Sequence, residues 1–174
     1  MNRTLTFRQE TPEDVPGIWK VVQTAFERPG EADLVDSLRR SGALLLSAVA
    51  VNDRGIAGHV AFSRVTIGES QDALALAPVA VAPDWQRLGI GSLLIRWALD
   101  ECRRRGHGIV VVLGSPIFYQ RFGFLPATRY GIECPFPVTP EHFMVLELQP
   151  GAARDCRGTV RYAPEFEALG SGRQ

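Results

Sequence analysis

The run Gln86-Arg87-Leu88-Gly89-Ile90-Gly91 joins a strand-like stretch, Ala73 to Val81, to a helix-like stretch that ends near Arg105. A strand that enters a helix through a two-glycine turn commits this part of the chain to an α/β arrangement. It also constrains the chemistry, because glycines let backbone N–H groups approach a phosphate closely and the helix dipole favours negative charge at that end. The spacing is not that of a Walker loop, which needs Gly, four residues and then Gly-Lys-Ser/Thr. Nor is it a dinucleotide fingerprint, because the third glycine position is occupied by Leu94. What remains is Gln-x-x-Gly-x-Gly, readable either as a glycine-rich turn or as a pyrophosphate site.

The surrounding pattern supplies the context. Leu5 and Phe7 alternate with polar residues as a strand does, and Thr11-Pro12-Glu13-Asp14 gives an N-cap, a first-turn proline and early acidic charge. A helix from Pro12 to Phe26 follows, with Val15, Ile18, Trp19, Val22 and Phe26 as its apolar stripe. A second, short helix runs from Glu31 to Arg40. Strands are expected over Ala43 to Val51, Ile56 to Ile67 and Ala73 to Val81, joined most simply as an antiparallel meander. In the third, the alternation slips by one residue around Ala77-Pro78, and proline cannot donate to a ladder, so a bulge is expected there.

Beyond the glycine turn, Ile90, Leu93, Leu94, Trp97, Ala98 and Leu99 mark a helix face. Ile109 to Leu113 is a continuous apolar run that suits a buried strand, and Ser115-Pro116 starts a short helix to Phe122. Further strands are expected over Thr128 to Ile132 and Phe143 to Leu148, with the last 25 residues lying over the surface and Gly170 to Gln174 frayed.

Composition excludes several classes. The 174 residues suit one domain, 1–174, and the 19 basic and 19 acidic side chains cancel, so no global field draws in nucleic acid. Cys102, Cys134 and Cys156 are odd in number and lack C-x-x-C spacing, which indicates neither a metal site nor a disulfide framework. There is no signal-like start and no apolar stretch of membrane-spanning length, so a soluble, cytoplasmic protein without membrane partners is expected.

Gln86 to Gly91 resembles the pyrophosphate signature of the GNAT superfamily of N-acetyltransferases. Tyr119-Gln120-Arg121-Phe122-Gly123-Phe124 resembles the Tyr-x-x-x-Gly-Phe segment of the same enzymes, in the right order along the chain. Val112 to Phe124, Phe143 to Leu148 and Gly158 to Tyr162 are similar to the YhbS-type branch, so the resemblance covers nearly the whole chain. It implies the GNAT acyl-CoA N-acyltransferase fold: a mixed, mostly antiparallel sheet, flanked by helices, with one bulged strand splayed from its neighbour. It also implies acetyl-CoA as co-substrate. Gln86, Arg87, Leu88, Gly89, Ile90, Gly91 and Ser92 would then hold the pyrophosphate, and Val79, Ala80 and Val81 would pair with the pantetheine arm.

In that family the tyrosine lies near the thioester sulfur, so Tyr119 is the expected acid for the leaving thiolate. His59 is the candidate base, directly or through water, with a pKa suited to neutral pH. Glu31, with Asp33, starts the helix that borders the acceptor cleft and would attract a cationic amine; Glu69 and Asp72 are further acidic candidates. The expected function is acetyl transfer to a primary amine of a small molecule, peptide or protein by direct attack in a ternary complex. The alternative is a CoA-binding sensory module without efficient catalysis. A homodimer on this scaffold is left open by the residues.

Overall fold

The computed structural model describes residues 4–69 and 71–170. The expectations for the Asp72 side chain and for the tail beyond Gly170 lie outside that description. Two compact units are present, one built from Met1–Phe62, Ala77–Ala98 and Pro164–Gln174, the other from Ser63–Leu76 and Leu99–Ala163.

In the first unit, strand β1 (Thr6–Gln9) pairs antiparallel with β2 (Leu44–Asn52), with Thr6 opposite Val51 and Gln9 opposite Ala48. Strand β2 neighbours β3 (Gly55–Ile67), and β3 neighbours β4 (Gln71–Val81), which gives the expected meander. Helix α1 (Val15–Phe26) is preceded by a single 3₁₀ turn over Pro12–Asp14, where the Thr11 amide donates to Asp14 Oδ2 at 2.7 Å. Glu27 ends α1 in the left-handed region at φ 56°, and α2 (Gly30–Ser41) follows. Ile18, Val21 and Val22 of α1 and Ala32 and Val35 of α2 pack on Val49, Ala61 and Ala80 of the sheet. The buried stripe of α1 is therefore rotated from the expected one, with Phe26 36% exposed.

Helix α3 (Ile90–Arg104) buries Ile90, Leu94, Ile95 and Ala98, whereas Leu93, expected on the inner face, is 53% exposed. Gly58 of β3 is fitted to this packing: a Cβ there would meet the Ala80 carbonyl oxygen at 3.3 Å and Ile90 and Leu94 side chains at 3.6 and 3.5 Å.

In the second unit β4 runs parallel to β5 (Ile109–Leu113) through Leu74↔Val110 and Ala75↔Val111. Strand β5 continues antiparallel to β8 (Phe143–Glu147), and β8 to β6 (Leu125–Pro126). No β4–β5 pair follows Ala75 among the described residues, so the ladder ends before Pro78 and Val79 to Val81 lie past it. Short helix α4 (Pro116–Tyr119) leaves the end of β5.

Two expectations are corrected. The stretch from Thr128 is a 3₁₀ helix, Ala127–Tyr130, and only Ile132–Glu133 forms strand β7. The last 25 residues are not merely a surface covering. Strand β9 (Gly158–Tyr162) pairs antiparallel with β3 through Val65↔Tyr162 and parallel with β7, and its Val160, with Cys156 two residues before the strand, is buried in the core of the second unit. Glycine at 158 lies at φ 114°, where a side chain is strained, and a Cβ there would stand a tight 3.2 Å from the Gly68 Cα. The sheet as a whole is mixed and mostly antiparallel, and helices flank it.

Candidate active site

The loop between β4 and α3 is built by backbone conformations that the sequence anticipates only in part. Gly89 sits at φ 79°, as a tight turn requires, but Arg87 also adopts φ 62°, a left-handed value uncommon for a side chain of this size. Non-glycine residues held there cluster at ligand clamps. The Gln86 side chain secures the entry by donating from Nε2 to the Val81 carbonyl at 3.0 Å, which ties the loop to the end of β4. The first intrahelical bond of α3 runs from the Leu93 amide to the Gly89 carbonyl at 3.1 Å. The amides of Ile90, Gly91 and Ser92 precede it and belong to the helix's unpaired first turn. They face the positive end of a 15-residue helix. Gln86 to Gly89 are exposed, and a Cβ on Gly91 would already touch Val81 Cγ2 at 3.5 Å. The loop is thus exposed, and a side chain at position 91 would lie against Val81 at the end of β4.

Tyr119 lies in the second unit at the end of α4. Its ring packs edge-on against Phe118 at 4.9 Å and Phe124 at 5.7 Å and tilts against Phe122 at 6.2 Å. Gly114 admits it, because a Cβ there would stand 2.5 Å from Tyr119 Cε2. No hydrogen bond from its hydroxyl is found among the described residues, and burial pushes its pKa up to about 12. The phenol is therefore protonated through the whole physiological range.

His59, the candidate base, is fully buried, and burial lowers its pKa to about 4, with Glu10 opposing that shift and Arg39 adding to it. That differs from the near-neutral value expected from the residue type. Its Nε2 lies 2.8 Å from Ser47 Oγ, which bonds to Glu10 Oε2; Glu10 is in turn clamped by Arg39 at 2.7 and 2.9 Å. Burial alone would raise Glu10, but the Arg39 and Ser47 bonds outweigh it and leave its pKa lowered.

Glu31 is buried and bonded to Arg28, whose Nε lies 3.0 Å from Oε2 and whose Nη2 contacts Oε1. The carboxylate that the sequence offered as an attractor for a cationic amine is engaged in an ion pair. Asp33 accepts from Trp19 Nε1 at 3.0 Å.

The sequence reading missed Glu10, Ser47, Arg39 and Gly114. Ser47 did leave a signal: a lone serine in the apolar run Leu44 to Val51 has to find a partner once buried.

A chain with this sheet, this loop and this tyrosine falls in the class of CoA-dependent acyltransferases, and the comparisons make the family explicit. Residues 45–126 match the acetyltransferase (GNAT) domain model. The uncharacterized N-acetyltransferase YhbS of Escherichia coli K12 is 37% identical over 93% of this chain and 98% of its own length. The chain belongs to the GNAT family of N-acetyltransferases.

Among solved structures, the Escherichia coli YhbS complex with CoA superposes with a TM-score of 0.89 at 36% identity, covering 94% of this chain and 92% of that one. A GNAT family acetyltransferase from Brucella melitensis, in complex with acetyl-CoA, superposes with a TM-score of 0.80 at 34% identity over 95% and 99%. No helix among the described residues is long and apolar enough to cross a membrane.

The state of His59 has a measurable consequence. Its pKa is depressed in the folded chain to about 4 from the ordinary 6.5, so the unfolded chain binds the proton more readily. The resulting stability is complete above about pH 6.5 and is lost as pH falls through 4, amounting to about 3 kcal/mol. His107, whose pKa burial also lowers, adds in the same direction. Urea unfolding is expected to show this loss between pH 7 and 4, above the range where Asp14, held at about 2 mainly by its Arg8 hydrogen bonds, protonates. An NMR titration of His59 with a midpoint near 6.5 would contradict it.

Proposed function

We propose that the chain transfers an acetyl group from acetyl-CoA to a primary amine of a small molecule, peptide or protein, by direct attack in a ternary complex. In this reading residues 1–174 work as one N-acetyltransferase domain, since β3 and β4 each contribute residues to both compact units. The observation that carries the proposal is the exposed loop with Arg87 and Gly89 both at positive φ, opening the N-terminus of α3. That cradle has the chemistry a pyrophosphate requires: amide donors, a favourable dipole and no side chain at the two closest positions.

The remaining residues take roles consistent with their surroundings. Arg87, Leu88, Gly89, Ile90, Gly91 and Ser92 hold the pyrophosphate, and Gln86 braces the loop against Val81. Val79, Ala80 and Val81, beyond the end of the β4–β5 ladder, present backbone groups to the pantetheine arm. The amine forms its N–C bond to the thioester carbon as the C–S bond breaks, and most of the rate comes from positioning. The amine gives up a proton to His59 through water, Tyr119 gives one to the departing sulfur, and solvent returns the proton from His59 to the phenolate, so the products are the amide and the CoA thiol. Glu31 acts as half of its pair with Arg28, for whose place an incoming ammonium competes.

Calorimetric titration with acetyl-CoA, beside ATP and NAD, tests the cradle. Micromolar, selective binding is expected, followed by release of CoA thiol with members of an amine panel. Binding without thiol release under any amine would identify a CoA-binding sensory module instead. No binding by a folded sample would reduce Gln86 to Gly91 to a structural turn.

A further inference from the structure

Four polar side chains form a chain inside the first unit. Arg39, on α2, makes two bonds to the Glu10 carboxylate, so that carboxylate is ionised and can only accept. Ser47 Oγ lies against Glu10 Oε2 and also 2.8 Å from His59 Nε2. A serine hydroxyl has a single hydrogen, and Glu10 takes it. The remaining contact is therefore His59 Nε2–H donating to Ser47 Oγ. Since the ring is fully buried and neutral, the proton on Nε2 leaves Nδ1 as a bare acceptor, and Nδ1 is buried without a partner among the described residues.

The place of that acceptor is informative. The Ala82 amide donates to the Ala57 carbonyl at 2.8 Å, an antiparallel register that sets Ala80 across from His59. Ala80 shares a cluster with Ala61 and Val49, each two residues from His59 and Ser47 on the same strand faces. His59 therefore stands beside the stretch Val79 to Val81. A buried unpaired acceptor costs stability, and a fold retains one where something donates to it. Local charge selects the donor. Arg39 pairs with Asp36 as well as with Glu10, so both carboxylates are engaged and neither is left to accompany a buried cation, and the fitting partner is neutral.

We propose that Arg39, Glu10 and Ser47 are positioning residues that lock His59 in its Nε2–H tautomer, so that Nδ1 receives a hydrogen bond from a neutral N–H or O–H donor beside Val79 to Val81. The donor is a water that links Nδ1 to the unprotonated acceptor amine, because the ring itself has no exposed surface for the amine to reach. This deepens the acetyl-transfer reading and rests on it for the identity of the amine, whereas the lock itself is a property of the folded protein.

The test is nitrogen-15 NMR of the histidine rings in the full chain. Wild type is expected to show a pyrrole-like Nε2 and a pyridine-like Nδ1 for His59 at pH 7. The reverse assignment would overturn the proposal, whatever the variants do. Ser47→Ala is expected to release the lock, mix the two tautomers and lower kcat roughly tenfold with KM for acetyl-CoA unchanged, whereas Ser47→Thr restores both. An unmixed tautomer in folded Ser47→Ala would also overturn it. Nδ1 is expected to be hydrogen-bonded by water and to shift when an amine is added; an Nδ1 that stays unbonded with and without amine would overturn the relay. Because the tautomer is read without catalysis, failure of acetyl-CoA binding would remove the acetyl-transfer reading and leave the lock standing.

Discussion

Gly89→Val is expected to weaken acetyl-CoA binding by about a hundredfold or more while the protein stays folded. A Cβ at this position meets nothing within 4 Å, so the substitution does not clash. The damage comes from the backbone. At φ 79° a β-branched residue is strained by about 1–2 kcal/mol or more, and the loop relieves the strain by turning away. The turn moves the amides that precede Leu93, and each lost bond to a charged oxygen costs about 1.5–3 kcal/mol. Strain and one lost bond together come to about 2.5–5 kcal/mol, against the 2.7 kcal/mol or so that separates affinities a hundredfold. Gly42→Val is the control: it has the same open surroundings and φ 80°, but it caps α2 outside the loop. It should cost stability and leave affinity alone. Calorimetry on both variants checks this, and equal affinities would take the loop out of the binding site. Gly91 differs, since no positive φ strains it and a Cβ there would make an ordinary contact with Val81 Cγ2 at 3.5 Å.

The sequence showed the parts of the fold that depend on local pattern. The family resemblance implied a strand that parts from its neighbour, and the β4–β5 pairs stop at Ala75, two residues before the slip at Ala77-Pro78, while the run Ile109 to Leu113 became the buried strand between β4 and β8. The loop followed from two glycines, although the left-handed Arg87 did not, since nothing in a residue's identity marks a side chain held at φ 62° by its neighbours. Strand β9 was hidden for a different reason. Its pairing with β3 joins Val65 to Tyr162 across nearly a hundred residues, and long-range pairing leaves no local period to read.

The site divides along the same line. Motif residues such as Gln86 and Tyr119 are legible because the family pattern lies along the chain. Glu10, Ser47 and Arg39 come from β1's end, β2 and α2 and meet only in three dimensions. His59 was noticed as a titratable residue, but its state depends on burial and on Ser47, neither of which a single strand's sequence specifies. Glu31 shows the converse. A carboxylate in a helix's first turn reads as an attractor for a cationic amine, and Arg28, three residues away, occupies it.

Tyr119→Phe is expected to lower kcat by about a hundredfold, the low end of what general acid catalysis contributes, with little change in KM for acetyl-CoA. The variant is a clean probe because the ring's partners Phe118, Phe122 and Phe124 are untouched and the hydroxyl has no partner to lose among the described residues. Stability should therefore move by less than about 1 kcal/mol. A phenol with a pKa near 12 is a weak donor for a thiolate in water, where a free thiol titrates at about 8.5. The surroundings that raise Tyr119 do so by penalising charge, and a thiolate leaving in the same surroundings suffers the same penalty, so the two pKa values rise together. Two pH signatures follow. The wild-type rate should show no fall from loss of the Tyr119 proton below about pH 11, and the ratio of wild-type to variant kcat should stay constant from pH 6 to 9. An unchanged kcat in the variant would leave Tyr119 as packing alone. A ratio that shrinks as pH rises through 7 to 8 would mean that the proton reaching the sulfur comes from a group titrating near neutrality, which neither Tyr119 near 12 nor His59 near 4 can be.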